Sequence, residues 1–320
     1  MIRVLSEADV LDVLDLEELL DAIESGFVAQ YRGTVERPTR PQYPVGRGLE
    51  GDEPLGTGLV MPAYVHGAGI AATKLVGVFE GNRERGLPTI HAQIVAVDAR
   101  TGEPEALVDG TAVTNARTGC IGGVAARALA APPVTLGVLG AGTQARWQTR
   151  AIGAAMVVDG VRVYSPSDSK RACAAELHEE GFDARAVASP AEAVDGADVV
   201  VAATTSEEPV FPAGALAPGA LVVGIGAYTP EMQELEAAVL EGATTVFADV
   251  PEEVAEIGDV RRADVSADDL VPLGALLAGA VPPPAPGELV VVESVGSAVL
   301  DAVATEWLLE SSDAGVEVSL

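Results

Sequence analysis

VTLGVLGAGTQA, residues 134–145, joins an apolar run, a glycine turn and the opening of an alanine-rich segment. Residues 135–139 are apolar and rich in β-branched side chains, the composition of a buried strand. Gly140-Ala141-Gly142 follows at once, and Thr143-Gln144-Ala145 completes G-x-G-x-x-A, the phosphate fingerprint of a dinucleotide fold. The first glycine permits the turn, and the second lets backbone N–H groups approach a pyrophosphate. The small third residue lets helix and strand pack closely. A helix N-terminus then offers unpaired donors and partial positive charge to the phosphates. Loops produce the bare pattern by chance; the strand before it and the helix after it give it weight here. The fingerprint begins near residue 140 of 320, so a substantial N-terminal region has another task.

After the fingerprint the chain repeats strand and helix. Strands are predicted at 135–139, 161–164, 183–187, 198–203, 221–225 and 244–248, with helical segments between most of them. That alternation predicts a doubly wound parallel sheet. Residues 251–287 are acidic and then proline-rich, which suggests an exit loop. Residues 288–293 read as a strand, and 297–309 as an amphipathic helix returning to the first domain. Upstream, apolar residues at helical spacing over 8–31 predict one or two helices. Residues 33–58 are rich in Gly, Pro and Arg and read as loop and edge strand. Strands follow at 69–79, 91–98 and 105–108, the last two forming a hairpin. A small-residue helix over 111–131 stops at Pro132-Pro133, a natural domain boundary.

Composition narrows the function classes. The length suggests two domains, and 48% hydrophobic residues are ample for their cores. No long uninterrupted apolar run predicts a membrane span, and the N-terminus lacks the pattern of a signal peptide. Cys120 and Cys173 show no paired spacing, which fits a reducing cytoplasm. His66, His91 and His178 are scattered, so no metal site is expected. The net charge of −29 repels nucleic acid and anionic membranes. Of the 19 basic residues only Lys74 and Lys170 are lysines. Acid excess with almost no lysine suits a high-salt cytoplasm, where salt screens the self-repulsion. A GC-rich genome that replaces lysine with arginine and alanine is the alternative.

Lys74 lies in AATKLVGVF, an apolar strand of a chain that has nearly eliminated lysine. A strand lysine is commonly a solvent-facing residue, but one retained here is a candidate for chemistry. An ammonium can donate to a carbonyl, imine or carboxylate and can exchange a proton. Arg117, in the small-residue helix, can grip a carboxylate in bidentate fashion or pair with a surface acid. Arg40, between prolines in a loop, is uninformative alone.

Taken together, these segments resemble the ornithine cyclodeaminase/mu-crystallin family. The likeness runs along most of the chain in order: RPTRPQYPV (37–45), MPAY (61–64), TKLVGVFEGNRERGLPTIHA (73–92) and VDARTGEPEALVDGTAVTNARTG (97–119). LGVLGAGTQA (136–145), ADVVVAATTSEEPVF (197–211), GAYTPEMQELE (226–236), LGALLAG (273–279) and ESVGSAVLDAVA (293–304) follow. The resemblance implies a substrate and dimerisation domain over residues 1–125 plus 291–320, and a Rossmann domain over 126–290. It implies a homodimer. It places Arg40, Lys74 and Arg117 at the substrate carboxylate and imine, and Gly140, Gly142, Thr143 and Gln144 at the pyrophosphate. Thr89 and Gly296 fall near substrate and nicotinamide, and Thr204 and Gly226 on the cofactor side.

One departure bears on the reaction. Members that deaminate ornithine or alanine carry an aspartate two residues before the proline of the segment after the fifth strand; this chain has Tyr228 there. A phenol, with an ordinary pKa near 10, is a poor base at neutral pH. Amine oxidation and imine hydrolysis lose their base, whereas reduction of an already protonated imine loses less. The alternative is that Tyr228 only fills a wall. The expected activity is therefore reduction of a small ketimine or cyclic imine carboxylate, of pyrroline- or piperideine-2-carboxylate type. Ornithine cyclodeaminase, alanine dehydrogenase and a nucleotide-binding protein without turnover are the alternatives. NAD folds usually carry an acid at the end of the second strand. Here Tyr164-Ser165-Pro166-Ser167 precedes Asp168, Lys170 and Arg171. Hydroxyls and cations suit a 2′-phosphate, so Ser165, Ser167, Lys170 and Arg171 favour NADP, with NAD as the alternative.

Overall fold

The first part of the chain folds as β1 (Ile2–Leu5), α1 (Glu7–Val13), α2 (Leu16–Tyr31), β2 (Val35–Glu36), β3 (Gln42–Val45) and β4 (Gly56–Val65). β5 (Ile70–Val78), β6 (Ile90–Asp98), β7 (Pro104–Asp109) and α3 (Gly110–Leu129) follow. Next come β8 (Val134–Leu139), α4 (Thr143–Ala155), β9 (Val158–Tyr164), α5 (Ser169–Glu179), β10 (Ala184–Ala186), α6 (Pro190–Val194), β11 (Val199–Ala202) and β12 (Leu221–Gly224). The chain continues with α7 (Ala237–Gly242), β13 (Thr245–Ala248), α8 (Pro251–Val254), α9 (Gly258–Arg261), β14 (Leu270–Pro272), α10 (Leu273–Leu277) and β15 (Val290–Glu293). It closes with α11 (Ala298–Ser311) and β16 (Val316–Val318). This computed structural model describes residues 1–319. Among them no helix is long and apolar enough to cross a membrane.

Two units emerge. The first comprises Met1–Asp15, Arg32–Arg117 and the chain from Ala298 on; the second comprises Leu16–Tyr31 and Thr118–Ser297. These bounds differ from the expected 1–125 and 126–290 at three places. α2 belongs with the second unit because Leu19, Leu20, Ile23 and Phe27 are buried there. Its backbone passes so close to α10 that a Cβ at Gly274 would lie 2.2 Å from the Phe27 carbonyl. The division falls inside α3, after Arg117, rather than at Pro132-Pro133, because the glycines of its second half pack against α4 and α2. A Cβ at Gly119 would strike the Trp147 carbonyl, and one at Gly123 the Leu20 side chain. β15, which straddles the expected boundary at 290/291, is a strand of the second unit's sheet throughout.

The first unit is built on an eight-stranded mixed sheet in the order β16-β1-β7-β6-β5-β4-β2, with β3 also on β4. β5 pairs antiparallel with β4 and β6, setting Lys74 between Met61 and Ile94. Period-two alternation puts Ile70, Ala72 and Lys74 on the buried face, while Leu75 is exposed. α11 covers that face, packing on β4 and β5. β1, β4 and β16 lie outside the sequence expectation. β4 carries Pro62 and two glycines, which mask a strand pattern, and β1 and β16 are too short to show a period.

The second unit is a doubly wound parallel sheet in the order β10-β9-β8-β11-β12-β15-β13-β14. The chain steps outward from β8 to β10, then returns to lay β11 on the other side of β8, which makes β8/β11 the switch point where such sheets bind ligands. β11, β12 and β15 are buried at every residue, because both faces are covered. The stretch 251–287 is not a plain exit loop. It carries α8, α9, α10 and the edge strand β14, elements of three to five residues that leave no readable period.

Candidate functional site

In the first unit three elements meet on one carboxylate. Lys74 comes from β5, Thr114 and Arg117 from one face of α3 at i, i+3, and Asp301 from the first turn of α11. The Lys74 ammonium stands 2.6 Å from Asp301 Oδ2 and donates to Thr114 Oγ1 at 3.2 Å. Arg117 Nε donates to Asp301 Oδ1 at 2.8 Å. Lys74, Arg117 and Asp301 are all buried. Two cations share one anion, so the cluster carries one surplus positive charge. The second unsatisfied element is Arg117 Nη1, which is buried without a hydrogen-bond partner. A buried unpaired guanidinium donor is unfavourable unless a ligand anion completes it.

Burial pulls the Lys74 pKa down to about 8; Asp301 pulls it back up, while Arg117 and Arg40 push it down further. Arg40, half-buried in the segment before β3, thus adds positive charge felt at Lys74. Burial pushes the Asp301 carboxyl up, but Arg117 and then Lys74 outweigh it and hold it below the usual carboxylate range. Thr89 lies apart in sequence, in the turn before β6, where its carbonyl accepts from the Phe79 N–H at 2.8 Å.

In the second unit the β8–α4 turn has the geometry of a phosphate cradle. Gly140 has φ 108°, and a Cβ there would lie 2.4 Å from the Ala203 carbonyl, so glycine is required. Gly142 is the N-cap of α4, and a Cβ on it would meet nothing within 4 Å. No side chain caps the helix, and Gly142 and Thr143 are exposed, so the first-turn N–H groups face open space. That arrangement fits a dinucleotide pyrophosphate. Gln144 is half-buried beside them. Arg146, one turn on, donates through Nη1 to the Ala141 carbonyl at 2.7 Å and the Gly142 carbonyl at 3.1 Å, and through Nε to Glu176 at 2.6 Å.

The exit of β9 gathers hydroxyls. Ser165 Oγ lies 3.0 Å from Ser169 Oγ, and Ser167 Oγ lies 2.6 Å from the same atom. The Lys170 ammonium sits 4.7 Å over the Tyr164 ring, and Arg171 pairs loosely with Asp168 at 3.7 Å. On the other side of β8, Thr204 and Gly226 follow β11 and β12, and both donate N–H groups to Glu234. Tyr228, half-exposed, is two residues further along the same exit. Gly296, with φ 81°, donates to Asp249 Oδ2 at 2.7 Å. Asp249 also accepts from Ser294 Oγ and the Val250 N–H at 2.6 and 2.7 Å. Sequence reading alone missed Asp301, Glu234 and Asp249. Glu234 and Asp301 stand inside family segments and Asp249 outside them, but an acid among 48 acids carries no signal until its burial is known. No group of His, Cys, Asp or Glu among the described residues is placed to hold a metal ion.

The model of the ornithine cyclodeaminase/mu-crystallin family matches residues 2–315. The chain belongs to this family. A Delta(1)-pyrroline-2-carboxylate reductase 1 of Burkholderia multivorans is 33% identical over 314 residues, 94% of this chain and 94% of that one. A Delta(1)-pyrroline-2-carboxylate reductase of Bacillus cereus is 32% identical over 266 residues, 80% of this chain and 82% of that one. The solved structure of Thermococcus litoralis Delta(1)-pyrroline-2-carboxylate reductase in complex with NADH and L-proline superposes with a TM-score of 0.91 at 27% identity. It covers 99% of this chain and 100% of its own. The family likeness thus extends over both units, and the mixed sheet and the doubly wound sheet both belong to it.

Proposed function

We infer that the chain is a nicotinamide-dependent reductase that converts small ketimine or cyclic imine carboxylates, of pyrroline- or piperideine-2-carboxylate type, to amino acids. The observation that carries this reading is the buried Lys74–Asp301–Arg117 cluster with its surplus positive charge and its unpartnered Arg117 Nη1. A substrate carboxylate supplies the missing anion, gripped by Arg117 and Arg40. A charge-assisted contact of this kind contributes about 1.5–3 kcal/mol. Lys74 then lies beside the C=N bond, where its ammonium polarises the bond and holds a proton at nitrogen. When bound, the reduced nicotinamide supplies hydride to the imine carbon. The nitrogen keeps its proton and becomes the amine, so the reaction needs no base. That is why Tyr228 is tolerable where deaminating relatives of the family carry aspartate.

The cofactor is held by Gly140, Gly142, Thr143 and Gln144 at its pyrophosphate and by Thr204, Gly226 and Gly296 toward its nicotinamide. We favour NADP over NAD because no acid closes β9, while Ser165, Ser167 and Lys170 present hydroxyls and a cation there. Thr89 is assigned to the substrate side. The exposed Tyr43 and Leu75 support a homodimer through the first unit. Two free, buried cysteines support a reducing, cytoplasmic setting.

The test is consumption of NADH and NADPH, in high salt, against a panel of cyclic imine carboxylates and of keto acids with ammonia or methylamine. The reading expects turnover with the cyclic imines, faster with NADPH. Ammonia release from ornithine without net cofactor change would instead make the chain a cyclodeaminase, and tight NADPH binding with no turnover would make it a binding protein.

A further inference from the structure

The parallel order β9-β8-β11-β12-β15 brings five strand exits into one row. A pyrophosphate on the Gly140 turn divides that row. The β9 exit receives the adenosine half, and the exits of β11 and β12 face the nicotinamide half. These two exits are joined by one buried side chain. Glu234 Oε1 accepts from the Thr204 N–H at 2.5 Å, and its Oε2 accepts from the Gly226 N–H at 2.7 Å. The approach is close: a Cβ at Gly226 would lie 2.1 Å from the Thr204 carbonyl and 2.6 Å from Oε2.

We propose that Glu234 is a positioning residue for the nicotinamide half of the dinucleotide, acting through the two N–H groups that its carboxylate holds. The inference rests on the reading that this unit binds a nicotinamide dinucleotide. Two donors require two acceptor oxygens, and an ionised carboxylate supplies both. A carboxylic acid or an amide supplies one acceptor and turns a donor toward the second N–H. Glu234 is itself fixed. Its N–H and that of Leu235 both donate to Asp259 Oδ1 at 2.7 Å, its carbonyl accepts from the Val210 N–H at 2.8 Å, and the Gln233 N–H donates to the Ser206 carbonyl at 2.8 Å.

The interior around Glu234 is crowded with acids. Asp259 places negative charge beside Glu234; Asp259, Glu234 and Asp249 do so beside Glu293, and the Arg262 guanidinium acts on Asp259. Burial pushes Glu234 up to about 7, against the pull of its Thr204 and Gly226 bonds. Burial likewise raises Asp259 to about 6, and burial together with the neighbouring Asp259, Glu234 and Asp249 raises Glu293 well above the usual carboxylate range. Neighbouring buried carboxyls do not all ionise together. Glu234 therefore closes its two bonds above about pH 7 and loses one of them below it.

The experiment titrates the full-length chain with NADH, NADPH and ADP-ribose, without substrate, from about pH 6 to about pH 9. In wild type, affinity for NADH and NADPH should weaken about tenfold as pH falls through 7, while ADP-ribose, which lacks the nicotinamide, should change little. Glu234→Gln should bind both dinucleotides about tenfold more weakly at high pH, without the acid dependence, and bind ADP-ribose as wild type does. Glu234→Gln that matches wild type with NADH, or that loses ADP-ribose equally, overturns the inference. If that variant does not fold, Asp259→Asn decides. It keeps the acceptor oxygen but removes the neighbouring charge, so the midpoint should move to lower pH; an unmoved midpoint, or a flat wild-type profile, counts against Glu234. Wild type that binds neither dinucleotide overturns the proposed function as well, which separates the two failures.

Discussion

Lys74 and Arg117 sit within bonding distance of opposite oxygens of Asp301, and all three side chains are buried. Replacing Lys74 with Met keeps most of the volume and removes the ammonium. Imine reduction should fall by about a hundred- to ten-thousand-fold while cofactor binding stays intact, as steady-state rates and dinucleotide titration would show. Near-wild-type rates would remove the lysine from the mechanism. Its pH behaviour has a defined sign. On the proposed mechanism the ammonium is the active form; burial lowers its pKa from 10.5 to about 8, so kcat/KM should decline on the alkaline side with a midpoint near 8. A bound carboxylate stabilises the ammonium, so the corresponding fall in kcat should lie at higher pH. For folding the same depressed pKa means that the charged lysine opposes stability below about pH 8, and this opposition lifts as pH rises from 8 toward 10.5. Asp301→Asn strands two buried cations together and should lower stability by about 3–5 kcal/mol in denaturant unfolding. Lys74 was legible in the sequence because lysine is so rare here. Asp301 was not, because only the packing of α11 on β5 distinguishes it from the surface acids.

At the scale of elements, the β8–α4 turn was fully legible, since its strand, glycines and helix start are contiguous. The acids that brace the neighbouring exits were not, since Glu234 reaches Thr204 across 30 residues. Two substitutions test the turn. Gly140→Ala forces a side chain into a positive-φ position against the Ala203 carbonyl. It should lower stability by about 1–3 kcal/mol and weaken dinucleotide binding, read by thermal melts with and without NADH. Arg146→Ala leaves α4 intact but frees the Ala141 and Gly142 carbonyls and breaks the link to Glu176 on α5. Dinucleotide affinity should fall about tenfold with little change in rate at saturation. The short elements of 251–287 escaped sequence reading for a different reason. Strands and helices of three to five residues span about one period of either pattern, so β14 and α10 read as loop.

At the scale of the whole molecule, a net charge of −29 surrounds a cluster whose own balance is positive. The field of the surface repels anions, whereas on the proposed function the buried cations of β5 and α3 bind one. Salt screens the former more than the latter, because buried charges are less accessible to counter-ions. The melting temperature should therefore rise markedly between low salt and molar potassium chloride, with the Michaelis constant for an imine carboxylate changing less. A melting temperature independent of salt would instead favour the compositional origin of the arginine-rich, lysine-poor sequence. The two-unit organisation was legible from the mid-chain position of the fingerprint. Its boundaries were not, because α2 and the end of α3 join the second unit by packing rather than by chain order. The central claim is that hydride passes from a reduced nicotinamide to the imine carbon of a carboxylate held at Lys74 and Arg117. The direct measurement is the mass of the product formed from pyrroline-2-carboxylate and reduced cofactor stereospecifically deuterated at C4 of the nicotinamide. With the deuterium on the transferred face, the product proline should carry one deuterium on the carbon bearing the carboxylate; proline without deuterium from either face, or no proline, would contradict the account.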